Sequence, residues 1–99
     1  MALEIVWTPR ALENFHDVIA YLEENWPEQI IKDFVKRTEN VLALIADHPQ
    51  IFRKISENSA IREAVVTKHN LLIYKIYPDQ IVLLAMFDTR QHPKKKRMF

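Results

Sequence analysis

Cationic side chains in the second half of the chain are the residues best suited to chemistry. Arg62 and Lys68 share parity along a predicted strand, so their side chains are expected on one face of a sheet. If that face lies opposite the helices, it forms a positive groove that would stabilise a phosphoryl-transfer transition state, with His69 or His92 as proton donor or acceptor. The same groove would hold an acidic peptide through charge-assisted hydrogen bonds. The alternative is that these cations pair with nearby carboxylates as ordinary surface structure.

Composition excludes several other kinds of site. The chain has four histidines, and none of them stands at a metal-ligand spacing such as H-x-x-x-H. It has no cysteine, which removes disulfides, thiolate metal sites and cysteine nucleophiles. It also has no glycine, which phosphate-binding loops, dinucleotide fingerprints and the hydrolase nucleophile elbow all require. We therefore expect neither a metal nor a cofactor.

The formal net charge of +1 conceals a segregation of charge along the chain. Residues 1–50 hold four basic and nine acidic side chains, a net charge of −5. Residues 51–99 hold ten basic and four acidic side chains, a net charge of +6. This asymmetry predicts that the second half presents a basic surface to an anionic partner, either a nucleic acid or an acidic protein segment.

Two amphipathic helices are predicted after a short first strand at residues 3–7. Thr8 suits the N-cap, and Pro9 suits the first helical position, where a missing N–H costs nothing. Pro27 breaks the first helix and opens a second, which ends near residues 47–49. So short a connection predicts an antiparallel helix hairpin. The residues expected to face the core are Leu12, Phe15, Ile19, Leu22 and Trp26 in the first helix, and Ile30, Phe34, Val41 and Ile45 in the second.

Three strands are predicted in the last third of the chain, at residues 61–67, 70–77 and 80–88, after a loop at residues 50–60. Asn70 is expected to take a positive φ in the first turn, because no glycine is present to do so. Residues 81–87 are apolar at both parities, which predicts a central strand buried on two faces. The predicted fold is one α+β domain over residues 1–99, in the order β-α-α-β-β-β, with the helix hairpin packed on one face of a small, mainly antiparallel sheet.

Neither end of the chain shows a pattern typical of export or membrane insertion. Residues 1–11 lack a basic leader followed by a long apolar run, so no secretion signal is predicted. The longest apolar stretch, Ile81 to Phe87, has seven residues, whereas a membrane span needs about twenty. We therefore expect a soluble, cytoplasmic protein with no membrane partner.

Several short motifs, taken in order, carry a resemblance to a known family. They are Trp26-Pro27-Glu28-Gln29, His48-Pro49, Ile61-Arg62-Glu63, Leu72-Ile73-Tyr74-Lys75-Ile76 and Asp88-Thr89-Arg90-Gln91-His92-Pro93. Together they resemble the RelE/ParE superfamily of type II toxins over nearly the whole chain. The resemblance implies the β-α-α-β-β-β architecture, a toxin of the bacterial cytoplasm, and inhibition by a cognate antitoxin encoded beside it.

The superfamily divides by mechanism, and the resemblance is closer to one branch. RelE-like members cut messenger RNA on the ribosome, whereas ParE-like members, the plasmid-stabilisation toxins, inhibit DNA gyrase by binding it. RelE-like toxins commonly have an arginine where this chain has Leu71, and no tyrosine follows Tyr77 here. By contrast, Arg62, His69 in the turn and Arg90 after the last strand look like the ParE pattern, with one departure, because many ParE-like chains carry a histidine where this chain has Asp88. The resemblance therefore implies a ParE-like protein that is not a catalyst and that disables gyrase through protein–protein contact.

Three functions follow as alternatives, and an acidic antitoxin is a partner in each. For a gyrase inhibitor, the predicted partner-binding residues are Arg62, Lys68, His69, Arg90, Lys94, Lys95, Lys96 and Arg97. For a ribosome-dependent mRNA endoribonuclease, with the ribosome and messenger RNA as partners, the predicted catalytic residues are Lys54, Arg62, Lys68, Arg90 and His92. The third alternative is a non-toxic relative that only binds an antitoxin.

Overall fold

The computed structural model describes residues 2–55, 57 and 60–90. Its elements in chain order are β1 (Glu4–Trp7), α1 (Pro9–Asn25), α2 (Glu28–Asp47), β2 (Arg53–Lys54), β3 (Ile61–Thr67), β4 (Asn70–Ile76) and β5 (Gln80–Asp88). The predicted α+β class and the order of strands and helices are confirmed. The segment predicted as a loop at residues 50–60 contains the short strand β2, which pairs with β3.

Both helices begin and end where local chemistry favours it. The Thr8 hydroxyl accepts a hydrogen bond from the backbone N–H of Ala11 at 3.1 Å, and Pro9 follows at the start of α1. The same hydroxyl donates to the carbonyl oxygen of Leu83 at 2.7 Å, so Thr8 both caps α1 and ties its first turn to β5. Pro27 lies at the N-cap of α2, where it needs no donor of its own. The predicted N-cap and the break between the helices are confirmed.

The strands form one five-stranded sheet in the order β1-β5-β4-β3-β2. β1 pairs with β5 in parallel, and the other pairs are antiparallel. β5 lies between β1 and β4, which confirms the prediction of a central strand, and β4 occupies the middle position of the five. β4 ends at Ile76, one residue before the predicted end, because Tyr77 already belongs to the turn and donates its N–H to the carbonyl of Gln80 at 2.9 Å.

The main core lies between the helix pair and one face of the sheet. Buried residues from the helices, among them Val18, Leu22 and Phe34, pack against buried strand residues that include Leu72 and Leu83. Burial of these side chains supplies the dominant favourable term in folding. Two predicted core residues, Leu12 and Ile30, remain 43% and 39% exposed. Each lies at the margin of its apolar stripe, and only the middle of the stripe faces the sheet.

A second, smaller cluster lies on the opposite face of the sheet. It is formed by the buried residues Ile73, Ala85 and Phe87, against which Ile55 and Ile61 pack. A register shift between Ile73 and Tyr74 in the β4–β5 pair accompanies the change of face along β5. β5 therefore contributes buried side chains to both clusters, which confirms the prediction that it is buried on two faces.

The turn between β3 and β4 differs from its prediction. No described residue has a positive φ, so Asn70 does not take the left-handed conformation expected of it. Asn70 is instead the first residue of β4 and pairs with Asp88 in the ladder. Both ends of its side-chain amide are hydrogen-bonded. The Oδ1 atom accepts from the Thr67 hydroxyl at 2.6 Å, and the Nδ2 atom donates to the Asp88 carboxylate at 3.1 Å. The requirement for hydrogen bonds in a buried position outweighs the turn preference of asparagine.

Within the described ranges, neither helix combines the length and apolarity needed to cross a membrane. The same ranges contain no group of three or more histidine or carboxylate side chains arranged to hold a metal ion.

Candidate partner-binding site

The predicted cations that the structure describes fall into two groups at opposite ends of β3. Arg62 lies near the start of this strand, and Lys68 follows its end. Six residues of extended chain separate them by roughly 20 Å. We call the first group the Arg62 cluster, which comprises Lys54, Arg62 and Tyr74. We call the second the Arg90 cluster, which comprises Lys68, His69, Asn70, Asp88 and Arg90.

Arg62 lies on the helix-facing side of the sheet. It shares parity with Ala64 and Val66, and both of these pack into the main core beneath the helices. The condition for a positive groove on the opposite face is therefore not met. Lys54 lies opposite Arg62 in the β2–β3 pair and is exposed.

The Arg62 cluster holds the loop after α2 against the sheet. The Nη1 of Arg62 donates to the carbonyl oxygens of Gln50 at 3.1 Å and Phe52 at 2.8 Å. Beside it, the Tyr74 hydroxyl donates to the carbonyl of Pro49 at 2.6 Å. Burial raises the pKa of Tyr74 to about 12, despite the opposing effects of the nearby Arg62 charge and a hydrogen bond donated by the backbone of Phe52. The hydroxyl is thus a neutral donor at physiological pH, and both side chains position the loop.

The Arg90 cluster is built on a buried ion pair. The Asp88 side chain is 0% exposed, and its Oδ2 lies 2.9 Å from Nη2 of Arg90. Its Oδ1 accepts from the Nε of Arg90 at 3.2 Å and from the Arg90 backbone N–H at 2.8 Å. The guanidinium carbon also lies 4.8 Å from the Trp26 ring centroid and 5.7 Å from that of Tyr21. Arg90 therefore connects the end of β5 to the junction between the helices.

The charge states of this pair follow from their surroundings. Burial of the Asp88 carboxyl acts to raise its pKa, but hydrogen bonds from Arg90 and Asn70 and the Arg90 charge outweigh it, so the pKa lies below its ordinary 3.8. The hydrogen bond with Asp88 raises the pKa of Arg90 in turn, against the effect of its own partial burial. Both groups are therefore ionised at neutral pH. Asp88 thus forms an ion pair with one of the predicted site cations, Arg90.

Further hydrogen bonds extend this network to the β3–β4 turn. The Thr67 hydroxyl accepts from the backbone N–H of His69 at 3.1 Å, and the carbonyl of His69 accepts from the N–H of Thr89 at 2.8 Å. These contacts fix the segment that carries Lys68 and His69. Sequence reasoning missed Asn70 and Asp88 as members of the site. The signal was a carboxylate at the end of an otherwise apolar strand, where a charge needs a partner.

A cavity of about 370 Å³ opens where the Arg90 cluster meets the helix pair. It lies between the end of α1, the first half of α2 and the β3–β4 turn. Three predicted site residues, Lys68, His69 and Arg90, line it together. Arg62 and Lys54 do not. The remaining lining residues are Leu22, Ile30, Asp33, Phe34, Arg37, Thr67 and Asn70.

Some predicted residues lie outside the described ranges, namely His92, Lys94, Lys95, Lys96 and Arg97. The position at which RelE-like toxins commonly have an arginine is occupied by Leu71, which is buried and pairs with Phe87. A buried leucine at this place offers no contact to a phosphate.

Comparison with known sequences identifies the family. A sequence profile described as the ParE toxin of type II toxin–antitoxin systems, parDE, matches residues 5–93. The chain belongs to the ParE toxin family. It is thus the toxin component of a type II toxin–antitoxin system within the RelE/ParE superfamily, as the sequence motifs imply. No curated protein sequence matches significantly.

Solved structures share the fold at low sequence identity. A YoeB dimer from Staphylococcus aureus is 17% identical with a TM-score of 0.63, and the match covers 88% of this chain and 97% of that one. A chromosomal ParDE toxin–antitoxin system from P. aeruginosa is 15% identical with a TM-score of 0.64, covering 88% and 96%. A mutant of the E. coli toxin RelE in the free state is 12% identical with a TM-score of 0.65, covering 100% of both chains. At these identities the likeness to YoeB, ParE and RelE structures shows the common fold alone.

Proposed function

We propose that this ParE-family toxin disables DNA gyrase by protein–protein contact, without catalysis, and that a cognate antitoxin neutralises it. The observation that carries this proposal is the division of the predicted cations between two clusters. Arg62 donates to backbone carbonyls at one end of β3, and Arg90 pairs with Asp88 at the other. Both arginines of the predicted nuclease set are engaged within the fold.

Phosphoryl transfer makes demands that this arrangement does not favour. Its transition state is stabilised by charges that converge on the equatorial phosphate oxygens within hydrogen-bond distance. Arg62 and Lys68 are separated by roughly 20 Å along β3. A protein interface makes no such demand, because its charges act along an extended surface. Contact with a protein target is therefore the function that the geometry supports best.

The family match and a neighbouring structure support the partners. The profile that matches this chain describes the toxin of a parDE system, and the P. aeruginosa structure is that of a ParDE toxin–antitoxin system. By analogy, the partners of this chain are gyrase and an antitoxin, both in the bacterial cytoplasm. No cofactor is needed for inhibition by contact. The proposed contact surface includes Lys68, His69 and Arg90 of the cavity rim, together with Arg62 and the basic residues 94–97.

A reconstituted gyrase assay tests this function. We expect the purified chain to inhibit DNA supercoiling and to increase the amount of gyrase trapped on cleaved DNA. The Lys68→Glu variant should weaken inhibition, because Lys68 is exposed on the proposed surface. Lys36→Glu is the matched control, since Lys36 is also an exposed lysine, lies on α2 and does not line the cavity. Full gyrase activity at saturating toxin would contradict the proposal.

Primer extension on messenger RNA, made after induction in cells, separates the alternatives. We expect no new 5′ ends. Their appearance, lost in the Lys54→Ala variant, would favour the ribosome-dependent endoribonuclease instead. Normal growth on expression without an antitoxin, combined with an unaffected gyrase, would identify a relative that only binds an antitoxin.

A further inference from the structure

The cavity beside the Arg90 cluster combines an apolar floor with a cationic rim. Leu22, Ile30 and Phe34 line the floor, where Leu22 and Phe34 are buried and Ile30 is the accessible apolar side chain, while Arg37 and Lys68 stand at the rim. Its volume of about 370 Å³ would hold about a dozen waters at roughly 30 Å³ each, and lies at the small end of ligand pockets. It is therefore large enough for one or two side chains of a partner.

The rim offers two cations to a partner. Arg37 and Lys68 form no ion pair with another residue of the described ranges, so their charges remain available. Arg90 also lines the cavity, but Asp88 neutralises it. The one carboxylate in the lining, Asp33, accepts a hydrogen bond from the side-chain amide of Gln29 at 2.9 Å. The rim thus favours an anionic ligand while retaining one acceptor.

Contacts within the fold hold two of the segments that line the cavity. Hydrogen bonds from Thr67 through Asn70 to Asp88 hold the turn that carries Lys68. The Arg90 guanidinium, over the Trp26 ring at 4.8 Å, holds the same assembly against the helix junction. A site fixed in advance loses little conformational entropy on binding.

We propose that this cavity is the docking site for an acidic peptide segment that inserts one aliphatic side chain onto the floor and directs carboxylates at Arg37 and Lys68. The proposal rests on the proposed function in one respect: the segment is assigned to the cognate antitoxin. Burial of the aliphatic side chain supplies affinity, and the two charge-assisted hydrogen bonds supply orientation. Asp33 is placed to accept a backbone N–H of the bound segment.

The lining favours a peptide over a single-stranded nucleic acid. Bases are held mainly by stacking on aromatic rings, but the rings of Trp26 and Tyr21 are already faced by Arg90. Phe34 is buried and stacks on Phe15 at 5.6 Å, so its face is also occupied. A backbone N–H of a peptide can donate a hydrogen bond to the Asp33 carboxylate at the rim, and a phosphodiester has no donor to do so.

Binding of a fluorescein-labelled Glu-Glu-Leu-Glu-Glu peptide to the full chain, followed by anisotropy, is the first test. We expect saturable binding that weakens as salt concentration rises. A peptide with serine in place of the central leucine should bind about tenfold more weakly, because it loses the buried aliphatic group. Equal affinity for the two peptides, or no saturable binding of either, would overturn the proposal.

Matched variants locate the site. Ile30→Glu should reduce peptide affinity at least about tenfold, since it places a carboxylate on the floor of the cavity. Leu44→Glu is the control, because Leu44 lies on the same helix, is 38% exposed against 39% for Ile30, and does not line the cavity. Arg37→Glu should weaken binding at least about threefold, with Lys36→Glu unaffected. Equal effects of the paired variants would overturn the assignment.

Two competition experiments identify the occupant. The complex of the chain with its antitoxin should not bind the labelled peptide, because the antitoxin segment fills the cavity. Undiminished binding to that complex would overturn the antitoxin as occupant. A short single-stranded RNA that displaces the peptide, with the same loss in Ile30→Glu, would show a nucleic-acid site instead. The gyrase assay is independent of these measurements, so failure of the docking site and failure of the gyrase mechanism are distinguished.

Discussion

The arginines that lie near the two ends of the β3–β4 hairpin, Arg62 and Arg90, make different contacts. Arg90 pairs with a carboxylate whose side chain is wholly buried and lies over two aromatic rings. Arg62 donates to neutral carbonyl oxygens of a loop at the surface. Loss of Arg90 would leave a charge buried without its counter-ion, whereas loss of Arg62 would leave carbonyls with access to water. The sequence alone does not distinguish the two arginines. In the structure, Arg90 neutralises a buried carboxylate, whereas Arg62 positions a surface loop.

The contrast also shows which cations can serve a partner. An arginine that satisfies groups of its own fold contributes to a binding surface mainly by positioning it. Lys68 and Arg37, which have no ion pair among the described residues, can give their full charge to a partner. Net charge in a sequence segment therefore overstates the charge available for binding.

The largest effect is expected at the Arg90 end. Arg90→Ala should lower the free energy of unfolding by about 3–5 kcal/mol, because the buried Asp88 carboxylate loses its counter-ion. Urea unfolding measures it. In the double variant Asp88→Asn with Arg90→Ala the buried charge is gone, so a large part of the stability should return. Simple additivity of the two single effects would show that the ion pair is not the cause.

The pH dependence of stability should report the same pair. Because the pKa of Asp88 is lower in the folded protein than its ordinary 3.8, the unfolded chain binds the proton first as pH falls. The stability contributed by Asp88 is complete above that ordinary value and is lost as pH falls through the lower folded value. The free energy of unfolding measured from about pH 5 downward should therefore fall more steeply than in the double variant. Parallel profiles would contradict this.

A smaller effect is expected at the Arg62 end. Tyr74→Phe should cost about 1–2 kcal/mol, because the Pro49 carbonyl loses its donor. An alkaline titration followed by tyrosinate absorbance gives a second readout. The wild-type chain should show a phase near the raised pKa of Tyr74, about 12, which Tyr74→Phe removes. Tyr77→Phe, at a residue 37% exposed, is the control that should keep this phase.

The smallest effect is expected at an ion pair away from both ends. Lys32 and Glu28 lie 3.7 Å apart on the exposed face of α2. Lys32→Ala should change the free energy of unfolding by less than about 0.5 kcal/mol, because exposed pairs of this spacing contribute little. A loss comparable to that of Arg90→Ala would show that burial does not explain the difference between the clusters.

Features determined by neighbouring residues could be predicted from the sequence. The Thr8 cap with Pro9, the break at Pro27, and the bounds of β3 and β5 all follow from local chemistry and from periodicity. Leu12 was harder, because its exposure depends on how the helix rotates over the sheet. The conformation of Asn70 also depends on tertiary contacts, since its ladder partner Asp88 is distant in sequence.

The site was less predictable than the fold. Lys68, His69 and Arg90 do line one cavity, but the residues that complete it, Ile30 and Arg37, come from a helix far away in sequence. Their convergence depends on how α2 lies beside the β3–β4 turn. No spacing rule contains that information, whereas a family profile can indicate it indirectly.

The backbone of this chain avoids the left-handed region throughout its described residues, and the sequence contains no glycine. Every bend in those ranges is thus made from conformations open to any L-residue other than proline. The turn residues at 68–69 and 78–79 can consequently exchange side chains without a steric penalty in the backbone. The residue types in these turns can therefore change to suit a new partner while the strands stay unchanged. Because the chain has no glycine, its unfolded state is also less flexible and loses less conformational entropy on folding.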